Sequence, residues 1–261
     1  MNNRKKIVGL IPAAGFASRI APHLTCSKEV HPVSLGDGKT RVASSFLIES
    51  LQEAEANKSY IILRTGKWDI PEYLLDGRAA GIPLAYIVSE STRGVPYTLD
   101  KAYPFIDDSI ILLGFPDIIF EPLDAFTQLL NQQQVTGADL VLGLFKTDKP
   151  EKADMVVFDR NGRLKDIIIK PKESQQIYTW IIAVWTPVFT QFMHDYLNDE
   201  NSTLNHTHNE LHIGDVVRAA IQAEMKTSYV QFDSGSFLDI GTPAELKKTK
   251  SRDWITPFNR N

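Results

Sequence analysis

"KIVGLIPAAGFASRI", residues 6–20, decides the fold. Its apolar run ends at Pro12 and opens into small residues: Ala13, Ala14, Gly15, Ala17 and Ser18. A strand that runs into a small-residue loop lets backbone N–H groups approach an anion closely. Arg19 follows, where a fixed cation can hold a phosphate bidentately. The loop matches neither G-x-G-x-x-G nor G-x-x-x-x-G-K-[ST]. Gly15 is the only glycine between Leu10 and Leu35. One glycine suffices if Ala17 stays out of the left-handed region that glycine tolerates best. Taken alone, a tight strand-to-helix turn explains the stretch as well as a phosphate loop does.

Outward from this loop, apolar runs of strand length alternate with amphipathic segments. "SYIILRTG", "PLAYIV", "SIILLGF" and "ADLVLGLF" read as further strands. Residues 41–56, "DIPEYLLDGRAAG", "YTLDKAYPF" (broken at Pro104) and "LDAFTQLLNQQQ" read as the helices between them. This alternation predicts an α/β fold with a mixed, mostly parallel central sheet and helices on both faces. The pattern then changes. Asn161-Gly162 sits between two β-rich runs, a hairpin signal because both turn positions favour φ > 0. "IYTWIIAVWTP", two helical patches at 187–197 and 211–225, short strands "SYVQF" and "SFLDI", and a helix from Thr242 complete the chain. No repeat or low-complexity linker divides it. We expect one domain over 1–261, with a nucleotide-binding half at 1–150 and an acceptor-binding half at 151–250.

Composition narrows the function classes. With 261 residues, 43% of them hydrophobic, the chain can bury a sizeable core. The formal charge of -4 favours neither nucleic acid nor an anionic membrane as partner. The single cysteine, Cys26, excludes an internal disulfide and fits a reducing compartment. No apolar run approaches the roughly 18 residues of a membrane helix, and "MNNRKK" leads into no signal-peptide core. A cytoplasmic location is expected.

Lys28, in "SKEVHPV", stands nine residues beyond Arg19. The two cations flank the loop like a polyphosphate clamp. Taken whole, "IPAAGFASRIAPHLTCSKEVHPV" resembles the signature of the sugar-1-phosphate nucleotidyltransferases. Its spelling is nearest the uridylyl- and thymidylyltransferase branches. Four later stretches resemble that family's motifs in the right order: "STRGVPYTLDKAYPFI", "LLGFPDIIF", "IIIKPKE" and "FLDIGTPAEL". The resemblance covers about residues 6–248.

The resemblance implies a three-layer, Rossmann-like nucleotide-diphospho-sugar transferase fold, a Mg²⁺ cofactor and particular roles. Ala13, Ala14, Gly15, Ser89 and Gly94 would meet the nucleotide, with UTP or dTTP favoured. Arg19 would neutralise the leaving pyrophosphate and Lys28 would lie over the α-phosphate. Asp117 and Asp239 would hold the metal. Lys170 would hold the phosphate of the sugar 1-phosphate, and Trp180 would face the sugar. A homo-oligomer is in keeping with the resemblance. The bland alternatives are that Asp117 and Asp239 cap the elements that follow them, and that Lys170 is a solvated hairpin lysine.

The chain departs from the family pattern at several positions. Ala17 stands for a glycine, Ser27 for a proline and Ser89 for a base-reading glutamine. Phe115 and Pro116 intervene between Gly114 and Asp117. Ile169 replaces a sugar-binding glutamate, and Trp180 replaces a glycine as a narrowing or stacking face. An unusual acceptor is therefore open, even a cationic alcohol phosphate. Two rival functions remain. One is a glycosyltransferase of the same fold, although no D-x-D motif surrounds Asp117. The other is a non-catalytic nucleotide-sugar-binding homologue. His206, His208 and His212 invite a zinc reading, but no single regular conformation aligns all three. A polar loop entering a helix near Leu211 is the simpler account.

Overall fold

The computed structural model describes residues 6–17, 20, 23–36, 39–90, 92–199 and 210–250. The opening stretch forms β1 (Ile7–Ala13), every residue of which is buried or nearly so. It pairs in parallel with β4 (Lys58–Arg64) on one side and β6 (Ile110–Leu113) on the other. β5 (Leu84–Ser89) extends the parallel set beyond β4. Four consecutive apolar residues, Ile110–Leu113, are all buried, as expected for a strand covered on both faces.

The parallel strands bring four carboxyl ends to one edge: Ala13, Arg64, Ser89 and Leu113. That edge is where open α/β sheets bind ligands. β11 (Tyr178–Trp185) runs antiparallel to β6, with Ala183 opposite Leu113. Its first residues, up to Trp180, therefore project past the end of β6, over the same edge. The hairpin of β9 (Met155–Phe158) and β10 (Leu164–Ile168) joins there through Thr179↔Met155. β8 (Leu140–Lys146) flanks β11, and β12 (Thr227–Phe232) pairs in parallel with β8. The nine-stranded sheet is thus mixed and mostly parallel around β1, as the alternation predicts.

Helices α1 (Ala43–Glu53), α2 (Asp69–Leu74), α3 (Val95–Asp100), α4 (Tyr103–Ile106), α5 (Ala125–Thr136), α6 (Pro187–Asn198), α7 (Ile213–Gln222) and α8 (Pro243–Lys248) complete the described chain. One apolar cluster packs α1 and α5 on one face of the sheet. A second packs α3, α6 and α7 on the other, with Trp185 and Phe189 fully inside. Trp185 satisfies its indole through Thr190 Oγ1 at 2.9 Å. None of these helices is long and apolar enough to cross a membrane.

Three differences from the sequence expectations have physical causes. The segment read as one helix from Arg41 begins at Ala43, because Lys39–Val42 form β3 against β2 (Pro32–Gly36). The residues of "DIPEYLLDGRAAG" divide into α2 and a 3-10 turn at Arg78–Ala80, since Gly77 takes a left-handed φ of 77°. The break expected at Pro104 falls just before it, between α3 ending at Asp100 and α4 starting at Tyr103, so Pro104 itself lies inside a helix. It stands in the first turn of α4, at a position where proline's missing N–H costs nothing.

Candidate active site

Asp117 precedes one strand, and Asp239 ends the other, of a small sheet whose pairing the strand pattern does not reveal. β7 (Ile118–Glu121) pairs antiparallel with β13 (Ser236–Asp239), with Asp239 opposite Ile118. Ile240 N donates to the carbonyl of Asp117 at 3.0 Å. The two carboxylate-bearing residues, 122 positions apart in sequence, are therefore neighbours. Neither is a helix cap. Thr242 caps α8 by accepting from Glu245 N, and Asp239 Oδ1 instead accepts from Gly241 N at 2.8 Å. Asp117 forms an ion pair with Lys28. The inserted Phe115 and Pro116 are absorbed in a turn closed by Ile118 N to Phe115 O, 3.1 Å, so Asp117 still reaches the site.

Lys28 begins a 3-10 turn, Lys28–Val30. The residue before it, Ser27, is pinned through its N and Oγ to Asp69, at 2.6 and 2.8 Å. Burial pulls the Lys28 ammonium down. Asp117, Glu29 and Asp239 outweigh that pull, so it stands above the ordinary lysine value. Beneath it lies a second pair, Lys67 Nζ to Glu29 Oε1 at 2.5 Å, with side chains only 6% and 1% exposed. Burial raises Glu29 and lowers Lys67. Desolvation on this scale makes each partner depend on the other. A cleft of about 370 Å³ opens beside this network, lined by Phe16, Ala17, Lys28, Arg64, Lys67 and Trp68 among others.

The phosphate loop differs in one respect from its expectation. Ala17 adopts φ 52°, inside the left-handed region, so the condition on which one glycine would suffice is not met. The backbone needs that turn between Phe16 and Ile20, where Ile20 N donates back to Ala17 O at 2.9 Å. Gly15 carries no positive φ, and a Cβ added there meets nothing within 4 Å. The glycine thus leaves open space, while the alanine bears the strain. Ala13 is buried at the end of β1, and Ala14 is half-buried. Arg19 lies outside the described residues, as do His206 and His208.

Ser89 ends β5, and its hydroxyl donates to Glu90 O at 2.9 Å. Gly94 combines a φ of 135° with a close approach: a Cβ would stand 2.1 Å from Leu211 O. Leu211 N also donates to Arg93 O at 3.1 Å. This bridge ties Arg93 and Gly94 to the entry of α7.

The acceptor-side residues gather around that entry. Lys170 is exposed, with φ 39° and its Nζ 3.5 Å from His212 Nδ1. His212 is the N-cap of α7 in a reciprocal capping box with Asp215, which is the polar helix entry expected of it. No cluster of three or more metal-type side chains occurs among the described residues. Trp180 is 6% exposed and belongs to the apolar layer with Leu211 and Ile213. Its ring is packed rather than open for stacking, and its Nε1 has no partner among the described residues. Sequence reasoning missed Glu29, Lys67, Asp69 and Asp154. Lys67 and Asp69 follow a parallel strand's carboxyl end, the one signal that marked them.

The comparisons with known proteins bear on the family and the fold. The model of the nucleotidyl transferase family matches residues 8–253. The low-salt glycan biosynthesis nucleotidyltransferase Agl11 of Haloferax volcanii is 23% identical over 91% of this chain. The chain spans 63% of that curated relative's length. A Bacillus anthracis protein assigned as a glucose-1-phosphate thymidylyltransferase, in complex with sucrose, superposes with a TM-score of 0.79 at 19% identity. That match covers 98% of this chain and 97% of the other. A UDP-glucose pyrophosphorylase complexed with UDP-glucose gives 0.75 at 16% identity, covering 93% and 96%.

Proposed function

The chain belongs to the nucleotidyl transferase family, and on that premise we propose that it joins a nucleoside triphosphate to a sugar 1-phosphate, releasing pyrophosphate. UTP or dTTP is the favoured donor. The observation that carries this reading is the Lys28 ammonium among Asp117, Glu29 and Asp239 at the carboxyl edge of the sheet. A phosphoryl-type transfer of this kind needs positioning and charge neutralisation rather than a covalent enzyme intermediate.

The roles follow from chemistry. The open backbone at Gly15 receives the triphosphate, and the Arg19 cation serves to neutralise the departing pyrophosphate. Lys28 stabilises charge that develops on the α-phosphate oxygens as an acceptor phosphate oxygen attacks. Lys170 holds that acceptor phosphate. Asp117 and Asp239, which both act on the Lys28 ammonium, would hold Mg²⁺. Bound there, the ion would neutralise and orient the phosphates. Lys28 would keep its ammonium for the substrate.

A pyrophosphate-release screen tests the reading, with nucleoside triphosphates against sugar and alcohol phosphates and Mg²⁺ present. Arg19→Ala and Asp239→Asn serve as controls. Release by the wild type and its loss in both variants supports the proposal. Release of a nucleoside diphosphate from a nucleotide sugar would replace it with glycosyl transfer.

A further inference from the structure

Asp154 stands just before β9 and belongs to none of the roles above. Its carboxylate is largely withdrawn from water, yet its Oδ1 has no hydrogen-bond partner among the described residues. The residue keeps partial exposure, so the group lies in a recess rather than in the core. Several elements converge on it. A Cβ at Gly214, in the first turn of α7, would lie 2.4 Å from Asp154 Oδ2 and 2.6 Å from Ile169 Cδ1. Its own carbonyl accepts from Thr179 Oγ1 on β11 at 2.9 Å. The charged groups that face it are Lys170, with its ammonium and its backbone N–H, and Asp215 and Arg218 of α7. His212, which caps α7, stands beside Lys170.

A buried polar atom without a partner is unfavourable, and more so if it is charged. A fold keeps such a group where something else completes it. We propose that Asp154 is a specificity-determining residue for the acceptor, its carboxylate accepting a hydrogen bond from a hydroxyl of the sugar whose phosphate Lys170 holds. This rests on the nucleotidyl-transfer reading and names the group that reads the sugar. The position before Lys170 is Ile169, which offers no such bond. Asp154 supplies a carboxylate beside Ile169, from the neighbouring strand of the hairpin.

The test compares wild type, Asp154→Asn and Asp154→Ala with glucose 1-phosphate, its monodeoxy analogues and phosphocholine. Steady-state constants are measured for both substrates, and acceptor binding is measured by calorimetry. We expect KM for the sugar phosphate to rise about tenfold or more in both variants, with the nucleotide KM unchanged. One deoxy analogue is a poor acceptor for the wild type, and its handicap vanishes in the variants. Equal acceptor constants and equal deoxy handicaps across all three proteins overturn the assignment, as does loss confined to phosphocholine. If the wild type releases no pyrophosphate but binds a sugar phosphate, the transfer reading falls and the binding comparison alone judges Asp154. If it does neither, both fall.

Discussion

The two halves of the site handle charge in opposite ways. On the nucleotide side, Lys28 meets Asp117, Lys67 meets Glu29, and Ser27 is held by Asp69. On the acceptor side, Asp154 Oδ1 and Trp180 Nε1 are buried without partners among the described residues, and Lys170 is exposed in a left-handed backbone. The nucleotide side pairs its lysines with carboxylates of the protein, although Glu29 Oε2 and Arg64 Nε also lack partners among the described residues. The acceptor side is incomplete until something binds. A site that must accept any triphosphate can be stabilised in advance, because phosphates look alike. A site that must choose among sugars keeps open bonds, because an unmade bond is what penalises the wrong substrate.

The largest expected effect breaks the nucleotide side from beneath. Lys67→Met leaves Glu29 buried without its cation, and we expect a loss of about 3–5 kcal/mol of stability. Adding Glu29→Gln should restore most of it, since the uncompensated charge is the cause. Chemical denaturation of both variants measures this. A single variant as stable as wild type would show that the pair does not support the Lys28 turn.

Next comes the charge that meets the substrate. Lys28→Met is expected to lower kcat by about 10²–10³-fold, with the acceptor KM little changed. Pyrophosphate-release kinetics read both constants. An equal loss through the acceptor KM would move Lys28 to the acceptor side and erase the contrast.

On the acceptor side, the same contrast appears as pH dependence without substrate. Burial pushes Asp154 up from its ordinary 3.8 to about 6, opposed by Lys170 and assisted by Asp215. The folded state therefore holds this proton more tightly than the unfolded chain. The stability this contributes is present at low pH and is lost as pH rises through about 6. Asp154→Asn removes the loss. We expect the variant to be more stable than wild type by about 1–3 kcal/mol at pH above the transition, and to lack the wild-type slope across it. Unfolding midpoints on either side of the transition decide the matter. Parallel pH profiles for the two proteins would mean that Asp154 is already satisfied.

The sequence made the nucleotide side legible because its chemistry is local. The strand, the small-residue loop and Lys28 are close in the chain, and Asp117 and Asp239 sit in short motifs. What brings those two aspartates together was not legible. β13 was read as a strand, but the four-residue β7 is too short for a periodic signal, and their pairing spans more than a hundred residues. The acceptor side was harder for a different reason. Asp154 matters because of α7, β10 and β11, and nothing in "KADMVVF" distinguishes it from a solvated aspartate. Gly94 was read as an opening for the nucleotide, while its tightest neighbour is Leu211, a contact visible only in three dimensions.

The smallest effect tests the phosphate loop, where the pre-paired side has one flaw of its own. Ala17 sits at φ 52°, at a cost of roughly 1–2 kcal/mol for a residue with a Cβ. Ala17→Gly relieves that strain and gives back about 0.4–1 kcal/mol through the freer unfolded chain. The net gain should be under about 1 kcal/mol. Gly15→Ala is the counterpart. No clash and no positive φ oppose it, so stability should hold within about 0.5 kcal/mol. Activity should still fall, because the new methyl enters the space through which the backbone meets the triphosphate. Thermal melts and nucleotide KM, measured for both, separate the strained position from the open one. If Ala17→Gly raises KM while Gly15→Ala does not, the left-handed turn at 17, and not the open backbone at 15, shapes the loop for its ligand.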